Sequence, residues 1–310
     1  FIAVYNLHTM FVVDYHYIIR SSSNYKLHGP SEEKFGKNLD ILKERCNVVS
    51  SKELCQLNKI KIRGAKETCA LVFDDGPVCQ YEVLGELVSR NIVGTFCPIA
   101  CVFEGCVPLT IKMHIIFSKI SSNVVAKDLE KYIHEHFHTI YPDFCISNKE
   151  RLHPGKWLYD NILTANLKCI MASLPPNIKE PFVGVEFAKI VPDEKKFFED
   201  FFINPEQLKK MHEAGMLIGA HGYMHSALGS MDYGAQKYDI EKSKNIIEDI
   251  INSRVDVFSY PFGSCNDKTV QILKELGFTH GFLFNHREVT SKDDNFSLSM
   301  YDWKDIPYLN

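Results

Sequence analysis

Length, composition and charge already exclude several classes of protein. The chain has 310 residues, of which 45% are hydrophobic, 24% charged and 12% aromatic, and these values are typical of a globular protein rather than a disordered, collagen-like or coiled-coil chain. Lys and Arg number 35 against 39 Asp and Glu, so the net charge of −4 offers no basic excess for binding a phosphate backbone. We therefore expect no nucleic-acid partner.

The N-terminal region is apolar but is not expected to cross a membrane. Residues 1–19 include Asn6, His8, Asp14 and His16, and such side chains are costly inside a bilayer. The region lacks a basic segment and a small-residue cleavage site, so no signal peptide is visible in the sequence, and we expect a cytoplasmic location. Ten cysteines in a chain of this length are too dilute for a disulfide framework, and we expect most of them to be reduced.

Predicted strands and helices alternate along most of the chain. Short apolar runs bounded by turn residues predict strands, at 11–19, 70–73, 92–96, 216–220 and 255–260. Apolar residues that recur every three or four positions predict helices, at 35–42, 83–88, 204–215, 240–251 and 267–276. This alternation favours an α/β fold in which right-handed crossovers join parallel strands.

The region from 101 to 202 interrupts the alternation. It contains two predicted helices, at 126–137 and 156–172, separated by loops that contain Pro and Asn. We therefore predict a mostly helical insertion, residues 101–202, between a first part of the α/β domain, residues 1–100, and a second part, residues 203–310. Because the insertion joins the two parts that carry the candidate site residues, we expect it to select substrates as a lid does.

Two pairs of polar residues follow predicted strands, where α/β folds place their active sites. Asp74 and Asp75 end one strand, and His221 and His225 follow another. In one helical turn or a tight loop, the two imidazoles would face the same side, and with an aspartate they would suit Zn²⁺, Fe²⁺ or Co²⁺ better than Mg²⁺. Each pair alone is also typical of a turn or a solvated helix face, but their joint placement favours a metal site.

The segments around these pairs resemble motifs of the polysaccharide deacetylases, also called the NodB-homology or carbohydrate esterase family 4. Residues 71–77 (LVFDDGP) resemble its Thr-Phe-Asp-Asp-Gly motif, and residues 218–225 (IGAHGYMH) resemble its His-Ser/Thr-x-x-x-His motif. Residues 258–263 (FSYPFG) resemble its Arg-x-Pro-Tyr-Gly motif. The similarity extends over about residues 10–100 and 203–300. It implies a deformed (β/α)₇ barrel of NodB-homology type, with the mostly helical insertion outside it.

The resemblance also implies a reaction. Asp75, His221 and His225 would bind a divalent metal, with zinc expected and cobalt or iron as alternatives. Asp74 would be the general base for a metal-bound water that attacks an acetyl carbonyl. The implied function is hydrolysis of the acetamide of an N-acetylated sugar or glycan, and that carbohydrate is the expected partner. The oligomeric state is not predicted.

The third motif supplies further expected contacts. A backbone N–H near Phe262 is expected to stabilise the oxyanion, and Tyr260 in the same turn is expected to contact the substrate. The arginine that orients the base in the family is Ser259 here. Asp74 therefore lacks that partner unless Arg254 or Arg287 supplies it.

The general acid has to be found elsewhere, because the late Leu-x-His segment of the family is not found in the sequence. Candidates are His16, His280 and His286. We favour His16, because it follows Tyr15 at the end of the first predicted strand. Two alternatives to a deacetylase stay open: a sugar-binding protein that keeps the metal ligands but is catalytically impaired, and a metal-dependent amidase acting on a small cytosolic compound.

Overall fold

The structure is a computed structural model, and the residues it describes are 9–21, 23–58, 66–154, 157–290 and 292–310. The chain divides into two compact units. The first unit contains residues 1–23, 28–108 and 198–310, and the second contains residues 24–27 and 109–197. Within the described residues, no helix combines the length and the apolar composition that a bilayer crossing requires.

The first unit contains a sheet of parallel strands. The strands are β1 (Met10–Asp14), β2 (Cys46–Val48), β3 (Glu67–Asp75), β4 (Thr95–Pro98), β5 (Leu217–Ile218), β6 (Val257–Ser259), β7 (His280–Phe284) and β8 (Leu298–Asp302). Seven of them pair in the order β5-β4-β3-β1-β8-β7-β6, while β2 pairs with the start of β3. A parallel bridge between Ala220 and Phe258 joins the residues after β5 to β6. The sheet is therefore a nearly closed barrel.

Helices follow the strands and also fill the second unit. They are α1 (Glu32–Arg45), α2 (Ser51–Asn58), α3 (Val78–Glu82), α4 (Leu84–Ser89), α5 (Leu109–Lys119), α6 (Ser122–Phe137), α7 (Ile162–Ser173), α8 (Pro176–Ile190), α9 (Glu194–Phe201), α10 (Pro205–Glu213), α11 (Tyr233–Ile251) and α12 (Asp267–Glu275). The predicted start at Asn204 is confirmed, because its side chain accepts a hydrogen bond from the Gln207 N–H in a capping box.

Side chains along each strand alternate between the barrel interior and a layer covered by helices. On β3, Ala70 and Val72 belong to the inner cluster, and the residues between and after them pack with the helices. The next inward position on β3 is Asp74, and the same two-residue period leads to Asp14 on β1 and to Ser259 on β6. Polar side chains thus succeed apolar ones inside the barrel as the strands approach their carboxyl ends.

Several predicted elements differ in length from the observed ones. The first strand ends at Asp14 rather than at residue 19, and the chain continues as a loop that pairs again only at Ile19, in a bridge with Ser31. The predicted helix 83–88 is part of two short helices, α3 and α4, because the backbone of Val83 leaves helical geometry with φ −92° and ψ 7°. Several observed elements were not predicted: β2, α2, α5, α8, α9, β7 and β8.

The second unit contains α5 to α8 and the first half of α9, so this part of the chain is mostly helical, as predicted. The predicted helix 126–137 is α6, which begins earlier, at Ser122. The predicted helix 156–172 corresponds to α7, which begins at Ile162 because the side chain of Asn161 caps it by accepting from the Thr164 N–H. Residue 156, its predicted start, lies outside the described residues. The predicted role of the insertion in substrate choice stays a prediction.

Candidate metal and catalytic site

Two adjacent carboxylates of β3 reach the same cluster at the carboxyl end of the barrel. Successive side chains of a regular strand point to opposite faces, but the backbone turns at Asp75, where φ is 74°. As a result, Asp74 Oδ2 lies 3.9 Å from His221 Nδ1, and Asp75 Oδ1 lies 3.6 Å from His221 Nε2. Both carboxylates are buried, and burial raises the pKa of Asp75.

The two histidines lie in a tight loop rather than on a helix, one of the two arrangements that the spacing allowed. His221 directly follows the bridge that closes the barrel, where Gly219 allows close approach, since a Cβ there would lie 2.6 Å from Cys97 Sγ. The backbone of His225 is left-handed, with φ 57°, and the two imidazole centroids are 4.8 Å apart. His225 Nε2 therefore lies 3.5 Å from Asp75 Oδ1.

The separations among these three side chains fit a shared divalent ion. Asp75 Oδ1 is buried and has no hydrogen-bond partner, and it lies 3.6 Å and 3.5 Å from the Nε2 atoms of His221 and His225. Two ligand atoms that each lie ~2.1 Å from a tetrahedral zinc ion are roughly 3.4 Å apart. Asp75 Oδ1 thus lies beyond ordinary hydrogen-bond distance of both imidazole nitrogens and at the spacing of metal ligands, and all three donor atoms lie within 4.8 Å of one another.

The tautomer of His221 suits metal binding. Its Nδ1 lies 2.9 Å from the backbone oxygen of Ser259, which can only accept, so Nδ1 carries the proton and donates it. Nε2 then has a free lone pair facing Asp75. Burial lowers the pKa of His221, which favours the neutral imidazole that binds metals. A backbone carbonyl that orients a ligating histidine is a common feature of metal sites.

Asp74 is held by a serine in place of the expected arginine. The hydroxyl of Ser259 donates to Asp74 Oδ2 at 2.7 Å, while Oδ1 has no hydrogen-bond partner. Neither of the two arginines considered as replacements pairs with Asp74: Arg254 donates to the Gly277 carbonyl, and Arg287 pairs with a carboxylate in its own loop. One residue, Ser259, therefore orients both the candidate base and a candidate ligand.

Burial dominates the electrostatics of Asp74. Burial, followed by the nearby Asp14 carboxylate, raises the pKa of Asp74 well above its usual range, although His16 and Ser259 act in the opposite direction. In addition, the side-chain amide of Gln80 donates to the backbone oxygens of Asp74 at 2.6 Å and of His16 at 3.0 Å. Gln80 thus joins the ends of the two strand segments that carry the candidate base and acid.

His16 faces this cluster from the end of β1. Its Nδ1 lies 2.9 Å from Asp14 Oδ2, and 30% of its side chain is exposed, enough for a substrate to reach it. Burial lowers the pKa of His16, but the carboxylates of Asp14, Asp75 and Asp74 outweigh burial and raise it well above its ordinary value. Asp14, His16 and Asp74 form a second group whose ligand-type atoms all lie within 4.8 Å of one another.

The other two histidine candidates lie elsewhere. His280 is buried at the amino end of β7, opposite to the cluster. His286 follows the carboxyl end of β7, and its Nδ1 bonds to Asp305 Oδ2 at 2.7 Å, which raises its pKa. Of the three, His16 is the one paired with a carboxylate beside Asp74 and Asp75.

The turn of the third motif presents only one of its two aromatic rings to solvent. Phe262 is 39% exposed, has a left-handed φ of 58°, and packs its ring against His225 with centroids 4.4 Å apart. Tyr260 is 1% exposed, and its hydroxyl donates to the Phe296 carbonyl. The Tyr260 side chain therefore lies in the core and does not support the expected substrate contact, whereas the Phe262 ring borders the cluster.

Sequence reasoning missed Asp14, Ser259 and Gln80 as parts of the site. Asp14 had a usable signal, because it precedes His16 by two residues in a strand-like segment and two-residue spacing places side chains on one face. The other two had none. Ser259 was considered only as the replacement of an arginine, and Gln80 acts on backbone oxygens, of Asp74 and of His16, rather than on side chains that form a motif.

Comparisons with known proteins agree with the motif assignment. The family model described as "Polysaccharide deacetylase" matches residues 177–281, which include both candidate histidine ligands and Ser259. The polysaccharide deacetylase resemblance is confirmed. A Bacillus subtilis (strain 168) protein, YxkH, whose name describes it as a polysaccharide deacetylase, is 25% identical over 79 residues. That alignment spans 26% of this chain and 28% of the length of YxkH.

Solved deacetylase structures share the fold over nearly the whole chain. The deacetylase domain of BpsB from Bordetella bronchiseptica has a TM-score of 0.56 and 13% identity, covering 94% of this chain and 95% of that one. The Streptococcus pyogenes deacetylase PplD, in complex with acetate, has a TM-score of 0.55 and 14% identity, covering 95% and 91%. At these identities the likeness concerns the fold alone, and it confirms a (β/α)₇ barrel of NodB type.

Proposed function

We propose that this chain hydrolyses the acetamide of an N-acetylated sugar or glycan with the help of a divalent metal ion, most simply Zn²⁺. One observation carries the proposal. Asp75, His221 and His225 present three donor atoms at metal-ligand spacing, and a carboxylate and a histidine suited to proton transfer lie beside them. Two imidazoles and one carboxylate match zinc, cobalt and iron better than magnesium.

Asp74 is proposed as the general base. When bound, the ion supplies Lewis acidity, which polarises an acyl carbonyl and makes water more acidic. Ser259 holds Asp74 Oδ2, so Oδ1, which has no hydrogen-bond partner, is the oxygen placed to accept the proton of the attacking water. A cation held by the neighbouring Asp75 also favours the ionised form of Asp74, which burial alone opposes.

His16 is proposed as the general acid. Its Nδ1 pairs with Asp14, which leaves Nε2 to give a proton to the departing nitrogen when the carbon–nitrogen bond breaks. Charge balance supports a protonated His16, because one divalent ion and one imidazolium would together neutralise the three buried carboxylates of Asp14, Asp74 and Asp75. The products are acetate and a free amine.

The substrate class rests on the family and on the rim of the site. Members of the matched family are described as polysaccharide deacetylases, and the exposed Phe262 ring beside His225 offers an apolar face on which a sugar ring could pack. Stabilisation of the oxyanion by a backbone N–H near Phe262 stays a prediction.

The test combines metal analysis with acetate release. The purified chain, loaded with Zn²⁺ or Co²⁺, is incubated with a panel of N-acetylated mono- and oligosaccharides, and acetate and new amine groups are quantified. Asp74→Asn is the control that should keep the ion and release no acetate. A chain that holds one ion but releases acetate from no member of the panel would favour the sugar-binding alternative, and activity confined to small non-sugar amides would favour the amidase.

A further inference from the structure

A buried carboxylate on α11 bonds to the loop between the two candidate histidine ligands. Asp239 Oδ1 accepts the backbone N–H of Tyr223 at 2.8 Å, and Oδ2 accepts the backbone N–H of Met224 at 3.1 Å. The hydroxyl of Ser226 adds a longer bond to Oδ2, at 3.4 Å. The carboxylate is only 3% exposed, so these bonds are made away from water.

Such an arrangement is costly unless the contacts are strong. Burying a carboxylate is unfavourable, and Asp has a low propensity for helix interiors, so Asp239 does not stabilise α11 itself. Hydrogen bonds from backbone N–H groups to a carboxylate are roughly twice as strong as neutral ones. The stabilisation from Asp239 therefore goes to the loop, whose backbone at His225 is held in the left-handed region at φ 57°.

The loop and Asp239 fit each other closely. Gly222 has φ 72°, and a Cβ at this position would lie 2.7 Å from Asp239 Oδ1, so a larger residue there would displace the carboxylate. The carbonyls of the same loop are held from the other side, because the N–H groups of Ala100 and Cys101 donate to the Gly222 and Tyr223 oxygens at 3.0 Å each. Asp239 supplies the N–H half of this support.

We propose that Asp239 is a positioning residue for the metal site, fixing the loop so that His221 and His225 present their Nε2 atoms to one point. The inference rests on the proposed metal site. Asp239 bonds to residues next to the ligands, through the backbone N–H groups of Tyr223 and Met224 and the hydroxyl of Ser226, so its effect reaches the two histidines through the loop. Residues that orient ligands from outside the coordination shell typically change metal affinity by about 10- to 100-fold when they are replaced.

The experiment measures affinity for Zn²⁺ alone, without substrate. Wild type, Asp239→Asn and the matched control Asp249→Asn are stripped with a chelator and titrated with Zn²⁺ against a competing indicator dye. Asp249 lies on the same helix but is exposed. Asn keeps the shape of Asp but turns an amide donor toward one backbone N–H, so we expect Asp239→Asn to weaken Zn²⁺ binding about 10- to 100-fold. Asp249→Asn should change it less than twofold.

Two further measurements separate positioning from a general loss of structure. Circular dichroism with chelator present shows whether each variant is folded, and the visible spectrum of the Co²⁺-loaded chain reports the coordination geometry, which should change in Asp239→Asn only. If Asp239→Asn does not fold, Asp239→Glu, which displaces the carboxylate by one methylene, should show the weaker binding.

The outcomes distinguish this inference from the proposed function. A wild-type chain that binds neither Zn²⁺ nor Co²⁺ would overturn the proposed site and the role of Asp239 with it. Tight binding by wild type together with unchanged affinity and an unchanged Co²⁺ spectrum in a folded Asp239 variant would overturn the role of Asp239 alone.

Discussion

The two ends of the barrel each bury a histidine among polar groups, and the two environments differ in one respect. At the amino end, His280 Nε2 lies 3.3 Å from the Ser51 hydroxyl, its Nδ1 lies 2.9 Å from Thr279 Oγ1, and Thr95 donates to Ser51 at 2.8 Å. At the carboxyl end, the polar atoms of His221, Asp74 and Asp75 stand 3.6 to 3.9 Å apart, and each carboxylate has an oxygen without a hydrogen-bond partner.

This contrast distinguishes buried polar side chains that stabilise the fold, around His280, from buried polar side chains that serve a function, around His221. Buried polar groups are normally hydrogen-bonded, as they are around His280, where each partner satisfies its neighbour. The carboxyl-end cluster instead concentrates like charges that repel one another. A local arrangement that opposes stability is expected where a ligand or a reaction requires it. Variants at the two ends should therefore have different consequences.

The largest effect is expected from the ligands themselves. His221→Ala or His225→Ala should abolish binding of the divalent ion, because two remaining donors hold such an ion far less tightly than three. Elemental analysis of the purified variants, with His280→Gln from the opposite end as the control that keeps the ion, measures this. Full metal occupancy in both alanine variants would show that the ligand assignment is wrong.

The next largest effect distinguishes the roles of the two neighbouring carboxylates of β3, Asp74 and Asp75. Asp74→Asn should keep the ion and lower acetate release by about 10²- to 10⁴-fold, the range expected when a general base is removed. Asp75→Asn should lose the ion as well. Metal content and initial rates are measured on the same samples. A near wild-type rate for Asp74→Asn would place the base elsewhere.

At the amino end of the barrel, the contribution of His280 to the stability of the folded chain should depend on pH and not on the metal ion. Burial lowers the pKa of His280 from 6.5 to about 4, so in this interval the unfolded chain takes up a proton that the folded chain does not. The contribution of His280 to stability is therefore intact above pH 6.5 and is lost as the pH falls toward 4, by about 3 kcal/mol over the whole window.

Urea unfolding at several pH values tests this point. His280→Gln should lose less stability than wild type between pH 6.5 and pH 4, because Gln cannot take up the proton. His153→Gln, at an exposed position, is the control that should follow wild type. Identical pH dependence in all three proteins would contradict the prediction.

The smallest effect is expected at Ser259. Ser259→Ala removes the hydroxyl that donates to Asp74 but keeps the carbonyl that orients His221, so the ion should stay bound while kcat falls about tenfold, as for one lost bond to a charged group. Ser299→Ala is a matched control, because that buried hydroxyl has no hydrogen-bond partner. An unchanged kcat would show that the base does not depend on the hydroxyl of Ser259. Loss of the ion would show that this hydroxyl supports the metal ligands instead.

The sequence predicted the α/β alternation and the cluster better than it predicted the supports of the cluster. The alternation and the cluster have strong local signals in the sequence, such as the Asn204 cap and the two polar pairs that follow apolar runs. A strand as short as β2, with three residues, has no reliable signal of its own and forms because the neighbouring strand β3 pairs with it. Tyr260 was misplaced because motif position does not reveal on which side of a turn a side chain lies.

Ser259 and Asp239 show why the remainder was out of reach. Ser259 meets Asp74 across 185 positions of sequence, although their strands, β6 and β3, are not adjacent in the sheet and the two side chains meet inside the barrel. Asp239 lies in a helix of ordinary amphipathic pattern, and its partners are backbone N–H groups, which every loop possesses. Neither contact leaves a pattern in a single sequence, because both depend on tertiary geometry.

The bridge between Ala220 and Phe258 has a consequence for the opening motions of the barrel. It is a single-residue contact flanked by the short strands β5 and β6, so the sheet is joined there by few hydrogen bonds. His221 and Ser259, the residues that follow the two bridge partners, are both part of the site. An ion held by Asp75 and the two histidines would connect the end of β3 to the loop that follows this bridge. Slower amide hydrogen exchange at Ala220 and Ser259 would then accompany metal uptake, so the ion that supplies the chemistry would also reduce the opening of the sheet at this bridge.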